Sequence, residues 1–137
     1  MKTYILISIG GIFGAISRYF IKGINIDYYS GNLPINTLII NVLGSLVLAI
    51  VLTIAFEIWK FDESVRFGIA SGFLGSFTTF SALTKETANI LKEGLYFSAI
   101  SYIILSIILG LAAIYLGIVI ARKLFGKLLK VNATEAD

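Results

Sequence analysis

A chain of 137 residues with 58% hydrophobic and only 14% charged residues cannot cover its own core with a polar surface, which excludes a soluble globular domain and leaves lipid as the solvent. The 11 Lys and Arg against 8 Asp and Glu give a formal net charge of +3 with no basic stripe for nucleic acid, only the modest excess that serves membrane topology. With neither Cys nor His, thiolate and imidazole metal sites, thiol nucleophiles and His general bases are excluded, so the composition points away from an enzyme.

About 20 apolar residues cross a bilayer, and a charge at mid-depth is costly, so charge-free stretches locate four spans: residues 3–22, 34–59, 65–91 and 95–121. The first opens on Lys2 like a signal peptide but has no A-x-A-like cleavage site and continues through Gly10, Gly11 and Gly14 to Arg18, which predicts a retained helix. The second starts with Pro34 in its first turn and leaves through Trp59 and Lys60 at headgroup level. On it Thr37, Asn41 and Ser45 recur every four residues and share one face, with Gly44 beside them. A carboxamide is expensive in lipid, and Asn41 is either an interhelical hydrogen bond or a donor lining a pore.

The third span carries two Gly, three Ser, two Thr and three Phe between Ser71 and Ser81. That composition predicts either an interruption within residues 75–79, tolerated at depth only where protein or water covers the backbone, or a face of small residues for close packing. The fourth repeats Ser98, Tyr102 and Ser106 at four-residue spacing, continued by Gly110. Residues 1–126 thus read as one membrane domain and 127–137 as a polar tail. Four spans put both termini on one side, which carries Lys2, Lys60, Arg66, Arg122, Lys123, Lys127 and Lys130 against Arg18, Lys22, Lys85 and Lys92 opposite, a bias towards cytoplasmic termini.

The first two spans offer no buried carboxylate for a proton or a cationic substrate. Hydroxyls, one amide and the electropositive edges of Phe rings remain, and these suit a small hydrated anion.

Three motifs, G-G-I-F-G-A-I-S-R-Y (Gly10 to Tyr19), N-T-L-I-I-N-V-L-G-S (Asn36 to Ser45) and G-F-L-G-S-F-T-T-F-S (Gly72 to Ser81), occur in order in a four-span chain of this size. With them the sequence resembles the Fluc, or CrcB, family of fluoride channels from Gly10 to about Gly117. The resemblance implies an all-α integral membrane protein of four transmembrane helices with a broken third, paired as an antiparallel dual-topology dimer that exports fluoride passively through two narrow pathways. It implies a structural sodium ion at the dimer interface, held by the backbone carbonyls of Gly75 and Thr78. It also implies a fluoride pathway of Asn41, Phe80, Ser81, Thr37, Tyr102 and Ser106, with Arg18 at the vestibule. The family pattern T-T-F-S-T-F is T-T-F-S-A-L here, so Leu83 stands in place of a second pore Phe, Ala82 in place of a Thr, and no fluoride contact carries over to position 83.

Two assemblies follow, a homodimer with one Phe per pathway or a heterodimer with a paralogous subunit, of which this chain could be the non-conducting half. A small multidrug-type transporter is similar in size, but its family has an acidic residue in the first helix, where this chain has Arg18. A non-transporting assembly protein would use the Gly-rich faces for packing and Asn41 as a structural bond.

Overall fold

The computed structural model describes residues 1–23, 33–58 and 61–134, and the predicted exit of the second span at Trp59 and Lys60 lies outside them. Among the described residues every regular element is a helix. Helix α1 is Lys2–Lys22 and α2 is Ile35–Thr53, preceded by Pro34, whose ring supplies φ −76° at the helix boundary. A π-helical turn, Ile54–Ile58, continues α2. Helix α3, Glu63–Phe67, runs into a π-helical segment, Gly68–Leu74, and then α4, Gly75–Phe77. Two extended residues follow, Thr78 with ψ 158° and Thr79 with φ −147°, before α5, Phe80–Lys92. Gly94, at φ 79°, takes the left-handed conformation that turns the chain into α6, Tyr96–Thr134.

Among the described residues three helical stretches are long and apolar enough to span a bilayer: Lys2–Lys22, Ile35–Glu57 and Tyr96–Leu124. The 39 residues of α6 measure about 58 Å at 1.5 Å per residue, so the helix extends past a hydrocarbon core of about 30 Å.

Lipid provides no hydrophobic drive between helices, so backbone proximity and hydrogen bonds hold them together. A Cβ on Gly10 would collide with the Gly68 carbonyl, one on Gly14 with the Phe73 carbonyl, and one on Gly72 would lie 2.6 Å from the Ile7 carbonyl, so α1 and the π-helical segment touch main chain to main chain. Helix α2 packs mainly on α6, where Gly117 sits as close to the Leu46 carbonyl, 2.7 Å from an added Cβ. The outer surface is apolar, with Ile5, Phe13, Phe20, Ile107 and Leu111 exposed, while hydroxyl-bearing Thr37 and Tyr102 are fully buried. Among the described residues no buried side-chain nitrogen or oxygen lacks a partner. Several hydroxyls donate to the carbonyl one turn back, including Thr53 to Ala49 at 2.7 Å and Thr87 to Leu83 at 2.8 Å, which satisfies them without a second helix.

The end of the subunit that carries the N-terminus is tied by side chains. Lys2 Nζ lies 3.4 Å from Asp62 Oδ2, Thr3 and Ser64 share a hydrogen bond of 2.8 Å, and Arg122 binds Glu57 through Nε at 2.9 Å and Nη2 at 2.7 Å.

Candidate functional site

At the extended pair Thr78–Thr79 the helical ladder is interrupted, and its loose groups are taken up locally. The Asn41 side chain from α2 grips Thr79: Nδ2 donates to the Thr79 carbonyl at 3.0 Å and Oδ1 accepts the Thr79 N–H at 2.8 Å. Thr79 then caps α5, its Oγ1 accepting from the Ala82 N–H at 3.2 Å. Gly44 lets α2 approach closely enough, since a Cβ there would strike the Thr78 methyl and lie 3.3 Å from the Phe77 ring. Asn41 keeps one amide hydrogen beyond its bond to Thr79, because a carboxamide nitrogen carries two donors.

This arrangement decides which oxygens could face a cation. In an unbroken helix the Thr79 N–H would bond the Gly75 carbonyl, and the Ala82 N–H the Thr78 carbonyl. Both N–H groups point elsewhere, to Asn41 Oδ1 and Thr79 Oγ1, so the carbonyls at 75 and 78 lose their helical donors. Carbonyl oxygens suit a hard cation, and Gly75 is exposed with no atom closer than 3.8 Å to an added Cβ. Among the described residues no group of three or more Asp or Glu side chains could hold a metal instead.

Thr37 and Tyr102 converge on a residue that the sequence reading missed. Thr37 Oγ1 donates to Glu86 Oε1 at 2.7 Å and Tyr102 Oη to Oε2 at 2.9 Å, while Lys22 Nζ lies 3.7 Å from Oε1. Glu86 sits inside the predicted third span, 65–91, and a carboxylate within a span is itself a functional signal; the absence of carboxylates was read from the first two spans only. Ser106 lies one turn along α6, its Oγ donating to the Tyr102 carbonyl at 2.7 Å, and Ser45 likewise bonds Asn41 O at 2.8 Å. The hydroxyl stripes of α2 and α6 are thus anchored to a carboxylate or to their own backbone.

The remaining residues fall on two sides of α5. Ser81 shares a hydrogen bond of 3.2 Å with Thr79 and lines a cleft of about 540 Å³ that also holds Arg18, Lys22 and Lys85. Among the described residues no carboxylate lies within ion-pair distance of Arg18 or Lys85, so this cleft carries open positive charge down to the break. Phe80 is 80% exposed and belongs to a separate apolar groove of about 320 Å³ between α5 and α6, beside Leu83 and Ile103. Leu83 also packs on the cluster of Ile90, Ala99 and Tyr102, a place for an aliphatic side chain. Within the chain, then, Asn41, Thr79 and Ser81 meet, Thr37 and Tyr102 meet at Glu86, and Phe80 joins neither group.

Known proteins share this sequence over most of its length. The family described as CrcB-like protein, Camphor Resistance (CrcB), matches residues 5–118. A protein of Dehalococcoides mccartyi named fluoride-specific ion channel FluC is 34% identical over 133 residues, covering 97% of this chain and 98% of its own. Proteins of the same name from a Sulfurihydrogenibium species and from Leptospira interrogans are each 38% identical, over 90% and 85% of this chain and 100% and 92% of theirs. With the matched region reaching from the first span into the last and enclosing Asn41, the extended Thr78–Thr79 pair and Glu86, the chain belongs to the CrcB family.

Proposed function

We propose that the chain is a fluoride-specific ion channel, a multi-pass protein of the cell membrane that lets fluoride leave passively and so lowers its concentration inside. The single observation in the molecule that supports this best is the cleft of Arg18, Lys22 and Lys85, in which Arg18 and Lys85 have no carboxylate partner among the described residues and which leads from the end of α1 to Ser81 and the break. A fixed cationic cleft concentrates a small anion, and donors on a rigid scaffold replace its water. The remaining amide hydrogen of Asn41, the Ser81 hydroxyl and the exposed edge of Phe80 are the groups to receive it. Thr37 and Tyr102 serve further along, where their hydroxyls turn from Glu86 to the ion, and Ser106 extends that line. A membrane potential negative inside drives an anion outward by about 2.3 kcal/mol per 100 mV, so no energy coupling is required.

Two antiparallel copies, each contributing four spans with the third broken at Thr78–Thr79, complete the pathway in this reading, because Phe80 needs donors that its own subunit does not bring to it. The same pairing would bring the Gly75 and Thr78 carbonyls of both copies together around a sodium ion, which supplies the positive charge that holds four inward carbonyls. The chain's own complement of Asn41, Phe80 and the Tyr102 to Ser106 line favours a homodimer over a heterodimer.

Purified chain alone, reconstituted in liposomes loaded with potassium fluoride, is expected to release fluoride after addition of a potassium ionophore and to retain chloride. Silence of a folded chain that is rescued by a paralogous subunit would replace the homodimer with a heterodimer, and silence under every pairing would remove the channel reading. For sodium, exchange against a large organic cation is expected to lower the melting temperature of the dimer. Gly75→Ala should do the same while leaving each subunit folded, since an added Cβ meets nothing nearer than 3.8 Å within the subunit. Melting that ignores both changes would rule the ion out.

A further inference from the structure

At the end of the chain that carries the N-terminus, Lys2 and Arg122 have carboxylate partners, whereas among the described residues Arg66 has no carboxylate and Glu63 no cation paired with it. Among the described residues no carboxylate lies within ion-pair distance of Arg66, whose guanidinium carbon instead sits 4.5 Å above the centre of the Phe56 ring. Stacking on a ring face leaves the N–H edge of a guanidinium open for an oxyanion. Glu63, one helical turn earlier on α3, is exposed and likewise has no cationic partner among the described residues. Both residues line a groove of about 360 Å³ whose other walls are Leu52, Phe56, Phe67 and Ala70, with Ser71 beside them. The groove therefore joins an apolar floor to one cation and one anion, and its Leu52 and Phe56 lie at the end of the apolar stretch Ile35–Glu57.

We infer that this groove holds a phospholipid with a zwitterionic ethanolamine headgroup, its phosphate on Arg66, its ammonium on Glu63 and an acyl chain along Leu52, Phe67 and Ala70. Residues three apart on a helix have Cβ atoms about 5–6 Å apart, a separation that the two-carbon link between phosphate and ammonium can bridge. A choline headgroup has the same charges but no N–H to give Glu63. A glycerol headgroup is anionic overall and would set an uncompensated Glu63 beside its phosphate. A water-soluble ligand with the same two charges would leave the apolar floor exposed.

The proposal is tested by titrating the detergent-solubilised protein with dioleoyl phosphatidylethanolamine, phosphatidylcholine and phosphatidylglycerol, reading bound lipid by native mass spectrometry and the melting temperature in parallel. Wild type should retain phosphatidylethanolamine about threefold better than phosphatidylcholine, the size expected of one half-exposed charged contact. Glu63→Gln should erase that difference while phospholipid still binds, and Arg66→Gln should lose all three lipids with the helical circular dichroism unchanged. Equal binding of the ethanolamine and choline lipids by wild type, or undiminished binding by Arg66→Gln, overturns the assignment. Preference for phosphatidylglycerol would make the site a simple anionic-lipid patch, and a shift in dimer fraction without bound lipid would give the groove to a second copy of the chain; either result also overturns it.

Discussion

Asn41→Ala is expected to silence fluoride efflux and to cost about 2–6 kcal/mol of stability, because it leaves the Thr79 N–H and carbonyl both unpaired at about 1–3 kcal/mol each. Those are the two backbone groups that the carboxamide holds at 2.8 and 3.0 Å. Asn41→Asp separates the two roles of the side chain. It keeps an acceptor for the Thr79 N–H but sets a second oxygen against the Thr79 carbonyl and places a negative charge on the proposed pathway. A folded protein with little flux is the outcome expected for Asp, and an unstable one for Ala, with melting in detergent and efflux from liposomes measured on the same preparations. An alanine variant that melts and conducts like wild type would show that neither the break nor the pathway depends on Asn41.

Gly14→Ala is expected to have the largest effect on folding of any single methyl group added to α1. The new Cβ would overlap the Phe73 carbonyl, which is main chain and cannot rotate aside. Overpacking typically costs about 1–3 kcal/mol, and a backbone obstacle places this substitution at the upper end. Phe73 stacks on Phe77 with ring centroids 5.9 Å apart, so displacement of the π-helical segment is carried directly to the last residue before the break. The control is Gly11→Ala, where the nearest atom to the added Cβ is the Ser76 hydroxyl at 3.3 Å, a group free to rotate, and the expected change is within about 0.5 kcal/mol. Size-exclusion profiles and melting temperatures of the pair should differ sharply, and equal behaviour would mean that α1 is not held by main-chain contact.

The long helices were legible because lipid simplifies the sequence problem: a charge-free stretch near 20 residues has few alternatives, and α1, α2 and α6 follow from that alone. The face shared by Thr37 and Asn41 was legible from four-residue spacing. Their partners were not, since Thr79 and Glu86 lie 38 and 49 residues away and nothing in a local pattern specifies which helix a polar side chain will meet. Glu86 went unread because it lies in the third span, whereas the absence of carboxylates was read from the first two. The cleft was only partly visible: Arg18 stood out as a charge inside a span, but that Lys22 and Lys85 join it depends on residues of α1 and α5 lining one cleft. The π-helical turns left no mark, because a slip in periodicity over five or seven residues is too short to register.

The π-helical segment between Gly68 and Leu74 makes chain length itself a constrained quantity. Its N–H groups reach five residues back instead of four, so it stores an additional residue within the same stretch of helix. Removing one residue there would let the segment tighten to an α-helix while the helix on either side keeps its register, whereas an added residue has no such slack to take up and would turn every side chain beyond it by about 100°. Thr79 would then swing away from Asn41 even though no atom of either residue had been altered. A one-residue deletion is therefore absorbed at this segment, and a one-residue insertion is not.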